Sequence, residues 1–431
     1  MKSIVKSICF GMTLATCISC NQKQTSQSYK PVNQKEVTAK DILGNPDYQA
    51  ISFSGYRQKS RSIEPTMEEL KEDLRILSAM GIKIVRTYNV QLHLPHTSNL
   101  LKAIHELKIA DPNFEMYVML GAWINCKNAW TDQTPDHNVE SEENEGEISR
   151  AVALANQYPD IVKIIAVGNE AMVRWAASYY VQPLVILKWV THLQSLKASG
   201  KLSKDLWITC SDDFASWGGG DSSYHTEDLE KIIKAVDYIS MHTYPYHNTH
   251  YNPDFWRVPK EETKLSEVEK ADAAMLRARD FAKSQYDSVA SYVKSLGITK
   301  PIHIGETGWA TVSDGFYGPE GSRATDEYKQ GKYYQLMREW TNVSGISCFF
   351  FEAFDEQWKD AGNPNGSENH FGLFGLTGEA KYPLWDLVDQ GVFKNLTRAG
   401  KPIRKTFNGD EKALLREVMS PPAKSNATVK E

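Results

Sequence analysis

Ile164-Ile165-Ala166-Val167-Gly168-Asn169-Glu170 is an apolar run that stops abruptly at an amide and a carboxylate. Pro301-Ile302-His303-Ile304-Gly305-Glu306-Thr307-Gly308-Trp309 follows the same pattern. Short β-branched runs of this kind read as buried strands. Six more candidates flank them: Ile51–Tyr56, Ile82–Tyr88, Glu115–Leu120, Trp207–Cys210, Val236–His242 and Ile346–Phe351. Helix-patterned segments lie between, near 67–80, 98–109, 146–158, 171–198, 226–235, 271–296 and 326–340, and a short one begins at Pro383. Thr66 with Glu69 three residues on spells a capping box for the first. Eight β–α units in succession predict an α/β fold, a (β/α)8 TIM barrel forming a single domain with extended βα loops. A doubly wound sheet is the alternative, but neither G-x-G-x-x-G nor G-x-x-x-x-G-K-[ST] occurs.

The 431 residues carry a net charge of −5, with no long basic run, which argues against nucleic acid as a partner. The 11 Trp and 20 Tyr suit both core packing and stacking on sugar rings. Residues 1–19 read as a signal peptide: Lys2 and Lys6, then a short apolar run, then polar sequence. Cys17-Ile18-Ser19-Cys20 resembles a bacterial lipobox, so Cys20 is the expected lipidation site, with Cys17 standing where Leu is usual. The chain is then exported and lipid-anchored to a bacterial membrane, the anchor being its one membrane contact; plain secretion is the alternative. Residues 20–47 read as a polar tether, 48–398 as the barrel and 399–431 as a polar tail. Cys126, Cys210 and Cys348, odd in number and widely spaced, make no disulfide framework, and Cys210 and Cys348, in apolar strand-like runs, read as small buried hydrophobes.

Cleaving a glycosidic bond with retention takes two carboxyl groups about 5–5.5 Å apart, one a nucleophile and one a proton donor. Glu170 and Glu306, ending candidate strands four and seven, meet that demand on the face where barrels hold their chemistry. For each, the plain alternative is a solvent-facing strand-end residue. The pair together favours catalysis, with Glu170 as acid/base and Glu306 as nucleophile.

Val167-Gly168-Asn169-Glu170 and Gly305-Glu306-Thr307-Gly308-Trp309 resemble the two catalytic motifs of glycoside hydrolase family 17, the β-1,3-glucanases. The resemblance runs from about Ile51 to Pro383. It takes in Ile84-Val85-Arg86-Thr87-Tyr88, His242-Thr243-Tyr244-Pro245-Tyr246, Phe351-Glu352-Ala353-Phe354-Asp355-Glu356-Gln357-Trp358-Lys359 and His370-Phe371-Gly372-Leu373-Phe374. It implies hydrolysis of laminarin-like β-1,3-glucan through a covalent glycosyl-enzyme, without cofactor or metal, by a monomer. It also implies that Asn169 bonds the sugar 2-hydroxyl and that Tyr244 donates to Glu306. Trp309 would stack on a sugar, Arg86 and Tyr88 would line the cleft floor, and Glu356 and Lys359 would reach substrate. The first strand, Ser52-Phe53-Ser54-Gly55-Tyr56-Arg57, departs from the plant pattern, and the segments 211–225 and 247–270 have no counterpart.

Other readings stay open here. Arg86 has an alternative reading as a buried structural partner of Glu352 or another carboxylate, and Glu356 with Lys359 as a surface pair. His242, His247 and His250 lack a neighbouring carboxylate cluster in sequence and are read as incidental rather than metal ligands. Trp123, Trp130, Trp217 and Trp256 are either sugar subsites or packing. Transglycosylation on the same site and a non-catalytic glucan-binding lipoprotein are the competing functions.

Overall fold

The computed structural model describes residues 36–424. The leader at 1–19, Cys20 and the first part of the tether lie outside the described residues. Strands β1 (Gln49–Ser52), β2 (Ile82–Arg86), β3 (Tyr117–Ala122), β4 (Val162–Asn169), β5 (Trp207–Asp213), β6 (Ile239–His242), β7 (Ile302–Gly308) and β8 (Cys348–Phe351) form a closed barrel. Each pairs in parallel with its sequence neighbour, and β8 closes on β1 with Ala50 opposite Phe349. Seven fall on the runs read from the sequence, and the first shares only Ile51 and Ser52 with its run at Ile51–Tyr56.

Strand alternation divides the core in two. Ala50, Ile84, Met119, Ile164, Ala166 and Phe349 fill the barrel's lower interior. Ile51, Val85, Val118, Ile165 and Val167 face outward beneath the helices. The helices are α1 (Met67–Ala79), α2 (His96–Ala110), α3 (Glu143–Gln157), α4 (Pro183–Ala198), α5 (Glu227–Ala235), α6 (Glu267–Ser295) and α7 (Glu327–Val343). The predicted capping box is present: Thr66 Oγ1 accepts from the Glu69 N–H while Glu69 accepts from the Thr66 N–H at 2.8 Å.

Three boundaries differ from expectation. α4 begins at Pro183 rather than near Ala171, because residues 171–182 form a loop closed by Val181 N–H donating to Ala171 O at 2.7 Å. Proline fits the first helical turn and so marks the true start.

Residues 38–44, read as part of the tether, are folded onto the barrel. Thr38 caps a helical turn at Ala39–Ile42, and Ala39, Ile42 and Leu43 plug the lower interior. Gly44 N–H then donates to Ser347 Oγ at 2.8 Å, with φ +77° and a Cβ position only 2.3 Å from Gly345 O, a place for glycine alone.

The polar tail is also folded. Leu414 and Val418, four residues apart on and just past the helix Glu411–Arg416, pack on Ala271, Tyr328 and Trp385. Arg398 anchors this segment: its guanidinium donates to both oxygens of buried Asp73, and Arg57 also donates to Oδ1 at 2.7 Å. Cys126, Cys210 and Cys348 are buried free thiols, the last two as read.

Candidate active site

The site forms where β4, β6 and β7 end. Gly168 takes φ +80°, and Glu170 itself takes φ +48°, turning the chain sharply off the strand. A Cβ at Gly168 would meet Ala171 Cβ at 2.8 Å, so glycine is required there. On β7, a Cβ at Gly305 would fall 2.0 Å from Ser240 Oγ. The absence of a side chain lets β7 approach β6 just below Glu306.

The carboxylates of Glu170 and Glu306, with the His242 imidazole, bring one atom each within 4.8 Å of one another. One oxygen of each carboxyl thus comes close to the other, which suits the short carboxyl spacing of retention better than the wider spacing that admits a water between them.

Glu306 is almost saturated with donors. Arg86 Nη1 lies 2.5 Å and Tyr88 Oη 2.9 Å from one oxygen, and Tyr244 Oη donates to the other at 2.7 Å. Burial pushes this carboxyl up, but His242 (where acid protonates it), the Arg86 cation and the two phenols outweigh it, and its pKa falls below the ordinary value. Glu170 has no such cation of its own. Burial first, then the charge of Glu306, push it up to about 8 against the pull of Arg86. One carboxyl is therefore held ionised and the other protonated near neutrality, the division of labour that acid and nucleophile need. The same three side chains have donor types a divalent ion takes, yet the fixed Arg86 cation on Glu306 opposes one by charge.

Arg86 also orients Asn169. Its Nη2 donates to Asn169 Oδ1 at 2.5 Å, which turns the amide N–H2 outward as a donor. Arg86 thus pairs with Glu306 and not with Glu352.

Two expected substrate contacts are corrected. Trp309 is fully buried, donates to Ala324 O at 2.8 Å and packs among Tyr246, Trp256 and Tyr333, so it offers no face to a sugar. Its position after a catalytic strand gave no warning, because an inward turn of one residue reverses the face. Glu356 is also buried; it accepts from Ser54 Oγ and from Trp358 Nε1 at 2.9 Å, which braces the wall and leaves little for substrate. Lys359 is no surface partner. It bridges Glu352 at 2.6 Å and Glu356 at 3.4 Å and lies 3.9 Å from the ring centre of Phe351, at the margin of the site. Trp217 and Trp256 are packing residues, fully buried with their N–H groups bonded to Ser240 O and Ser322 O.

His242 is the functional neighbour that sequence reasoning set aside. Its Nδ1 lies 2.9 Å from Glu170 Oε1 and its Nε2 2.8 Å from Ser211 Oγ, which meets Ser240 Oγ at 2.8 Å. Burial lowers its pKa to about 4, so the ring is neutral at physiological pH. The signal was present in sequence: His242 ends a strand two residues before Tyr244.

A barrel with two strand-end carboxyls brought together and shifted in opposite directions is the architecture of a glycoside hydrolase. The chain belongs to the BtgE/BtgC glycoside hydrolase domain family, whose model matches residues 50–372. Among solved structures, an endo-laminarinase from Formosa Hel1_33_131 is 67% identical, with a TM-score of 0.90 over 92% of this chain and 100% of that one. A Rhizomucor miehei β-1,3-glucanosyltransferase in complex with laminaritriose is 20% identical, with a TM-score of 0.52 over 76% of this chain and 93% of that one, a likeness of fold. The putative glucan endo-1,3-β-glucosidase btgC of Aspergillus niger is 23% identical over 70% of this chain and 37% of its own length. The chain thus spans well under half of that curated relative.

Proposed function

We propose that this protein hydrolyses laminarin-like β-1,3-glucan with retention of anomeric configuration. The observation that carries the reading is the Glu170–Glu306 pair, close enough for double displacement and divided in charge. Glu306 attacks the anomeric carbon as the glycosidic C–O bond breaks, and Glu170 gives its proton to the departing oxygen. Glu170, now a carboxylate, takes a proton from water, whose oxygen displaces Glu306 and restores both groups. Asn169, with its amide turned outward by Arg86, is placed to donate to the sugar 2-hydroxyl.

The linkage and the endo mode rest on the 67% identical endo-laminarinase, which this chain matches along that protein's whole length. Incubation with laminarin is expected to release short oligosaccharides of retained configuration, read by proton NMR during the first turnovers. No release from any β-1,3-glucan overturns the reading, and products longer than the starting oligosaccharide assign the site to glucosyl transfer instead. We infer also that the leader directs export and lipidation at Cys20. Cys20→Ala should then move the protein from the membrane to the soluble fraction, and an unchanged membrane fraction refutes this.

A further inference from the structure

The loops that follow β3 and β4 carry aromatic side chains that the hydrolytic step does not use. Trp130 is 63% exposed, and its ring stacks on Tyr179 at 5.1 Å between centres and 22° between planes. Trp123, directly after β3, leans on the same tyrosine at 5.2 Å, tilted by 40°. Trp175, 64% exposed, sits in the loop that leaves Glu170, between Val173 and Ala176, which pack in one small cluster with Tyr179 and Trp123.

A lone exposed tryptophan needs no explanation. This one is held out by several independent devices. Trp130 has φ +59° and Asn128 φ +63°, left-handed conformations that L residues adopt at a cost. Asn128 Nδ2 donates to Thr134 O at 3.1 Å and Thr131 Oγ1 to Asn128 O at 2.8 Å, which fixes the turn. The turn stands on a hairpin of 126–127 with 136–140, tied to the loop after Glu170 by Cys126 N–H donating to Tyr179 O at 3.1 Å and by His137 stacked on Tyr180 at 3.6 Å. A strained, braced backbone presenting a flat apolar face is a built surface, because nothing in folding requires Trp130 to be there.

Its place in the fold names the occupant. The platform is continuous with the chain that bears the proton donor and lies across the barrel from β7, which bears the nucleophile. The acid faces the leaving oxygen, so the sugars beyond it are those of the leaving group. β-Linked glucose presents axial C–H bonds on both faces of the ring, and these suit the electron-rich face of an indole.

We propose that Trp130, backed by Tyr179 and flanked by Trp123 and Trp175, is a binding platform for the reducing-end glucosyl residues of the β-1,3-glucan, beyond the unit next to the cleaved bond. The proposal rests on the glucanase reading. Trp130 and Trp175 act as positioning and specificity residues and touch no reacting atom.

Laminari-oligosaccharides of increasing length, labelled at the reducing end, test this in the full chain. Trp130→Ala and Trp175→Ala should leave kcat/KM on the shortest cleaved oligosaccharide within about twofold of the unaltered protein. On long chains they should lower it by about tenfold, chiefly through KM. The preferred cleavage of laminarihexaose should shift toward the labelled end, and Trp130→Phe should restore both measures. Equal loss at every chain length, no loss on long chains, or an unmoved cleavage point each overturns the platform. Those outcomes leave the hydrolase reading intact, since that reading fails only if the unaltered protein releases nothing from any β-1,3-glucan, in which case the platform falls with it.

Discussion

His242 Nδ1 stands 2.9 Å from Glu170 Oε1, so a neutral imidazole is the immediate partner of the carboxyl that must hold a proton. When Glu170 is protonated its O–H donates to Nδ1, leaving Nε2–H to donate to Ser211. Removing the ring takes away that acceptor and lets water solvate the carboxylate, and both changes favour ionisation. His242→Ala is therefore expected to move the alkaline limb of the kcat/KM profile down by about one pH unit. A purely structural loss would lower the rate at all pH values and leave the limb where it was.

The unaltered protein should show a bell-shaped profile. Activity requires Glu170 protonated and Glu306 ionised. It is expected to fall as pH rises through about 8, where Glu170 loses its proton, and to fall again below the ordinary carboxylate range, where Glu306 gains one. The two limbs belong to the pair, since each carboxyl feels the other. Initial rates on laminarin from pH 3 to 10, with stability checked at each pH, read both.

The histidines should cost the protein stability in acid. His96, His242 and His303 are buried and His247 is half-buried, and desolvation lowers each to about 4 from an ordinary 6.5. The unfolded chain binds protons at these rings from about pH 6.5 downward while the folded chain does not, so stability is lost as pH falls through that window toward 4. Burial raises Glu170, Asp212 and Asp213 to about 8, 6 and 8, and these act the other way, so the histidine share is read by difference: His303→Gln should lessen the loss of Tm between pH 7 and 4 relative to the unaltered protein. An unchanged slope contradicts the neutral, buried state of that ring.

Arg398 and Asp73 are both fully buried and bonded at 2.9 Å. Arg398→Ala leaves part of the Asp73 carboxylate without a partner and frees the segment that follows, an expected loss of about 3–5 kcal/mol. Denaturant unfolding measures it. Because the pair lies beneath the outer helices, activity below the new melting point should remain near normal.

Strand positions were legible because each barrel strand is a short apolar run between polar turns, and the carboxyls were legible because they interrupt such runs. What the sequence concealed depends on facing. Trp309 and Glu356 match family motifs, but a motif records residue type and not the direction of the side chain, and both turn inward. The folded tail was hidden because Leu414 and Val418 are two apolar positions in a charged stretch, too few to stand out from a solvated segment. His242 was discounted for want of nearby carboxylates, and the barrel supplies two of them from strands distant in sequence.

The plug at Ala39–Leu43 seals the barrel at the ends of the strands remote from Glu170 and Glu306. The barrel is consequently closed at that end, and the segment at Val37 enters there. A label joined directly at Val37 is therefore attached at the barrel end remote from both carboxyls, where it leaves the open end clear.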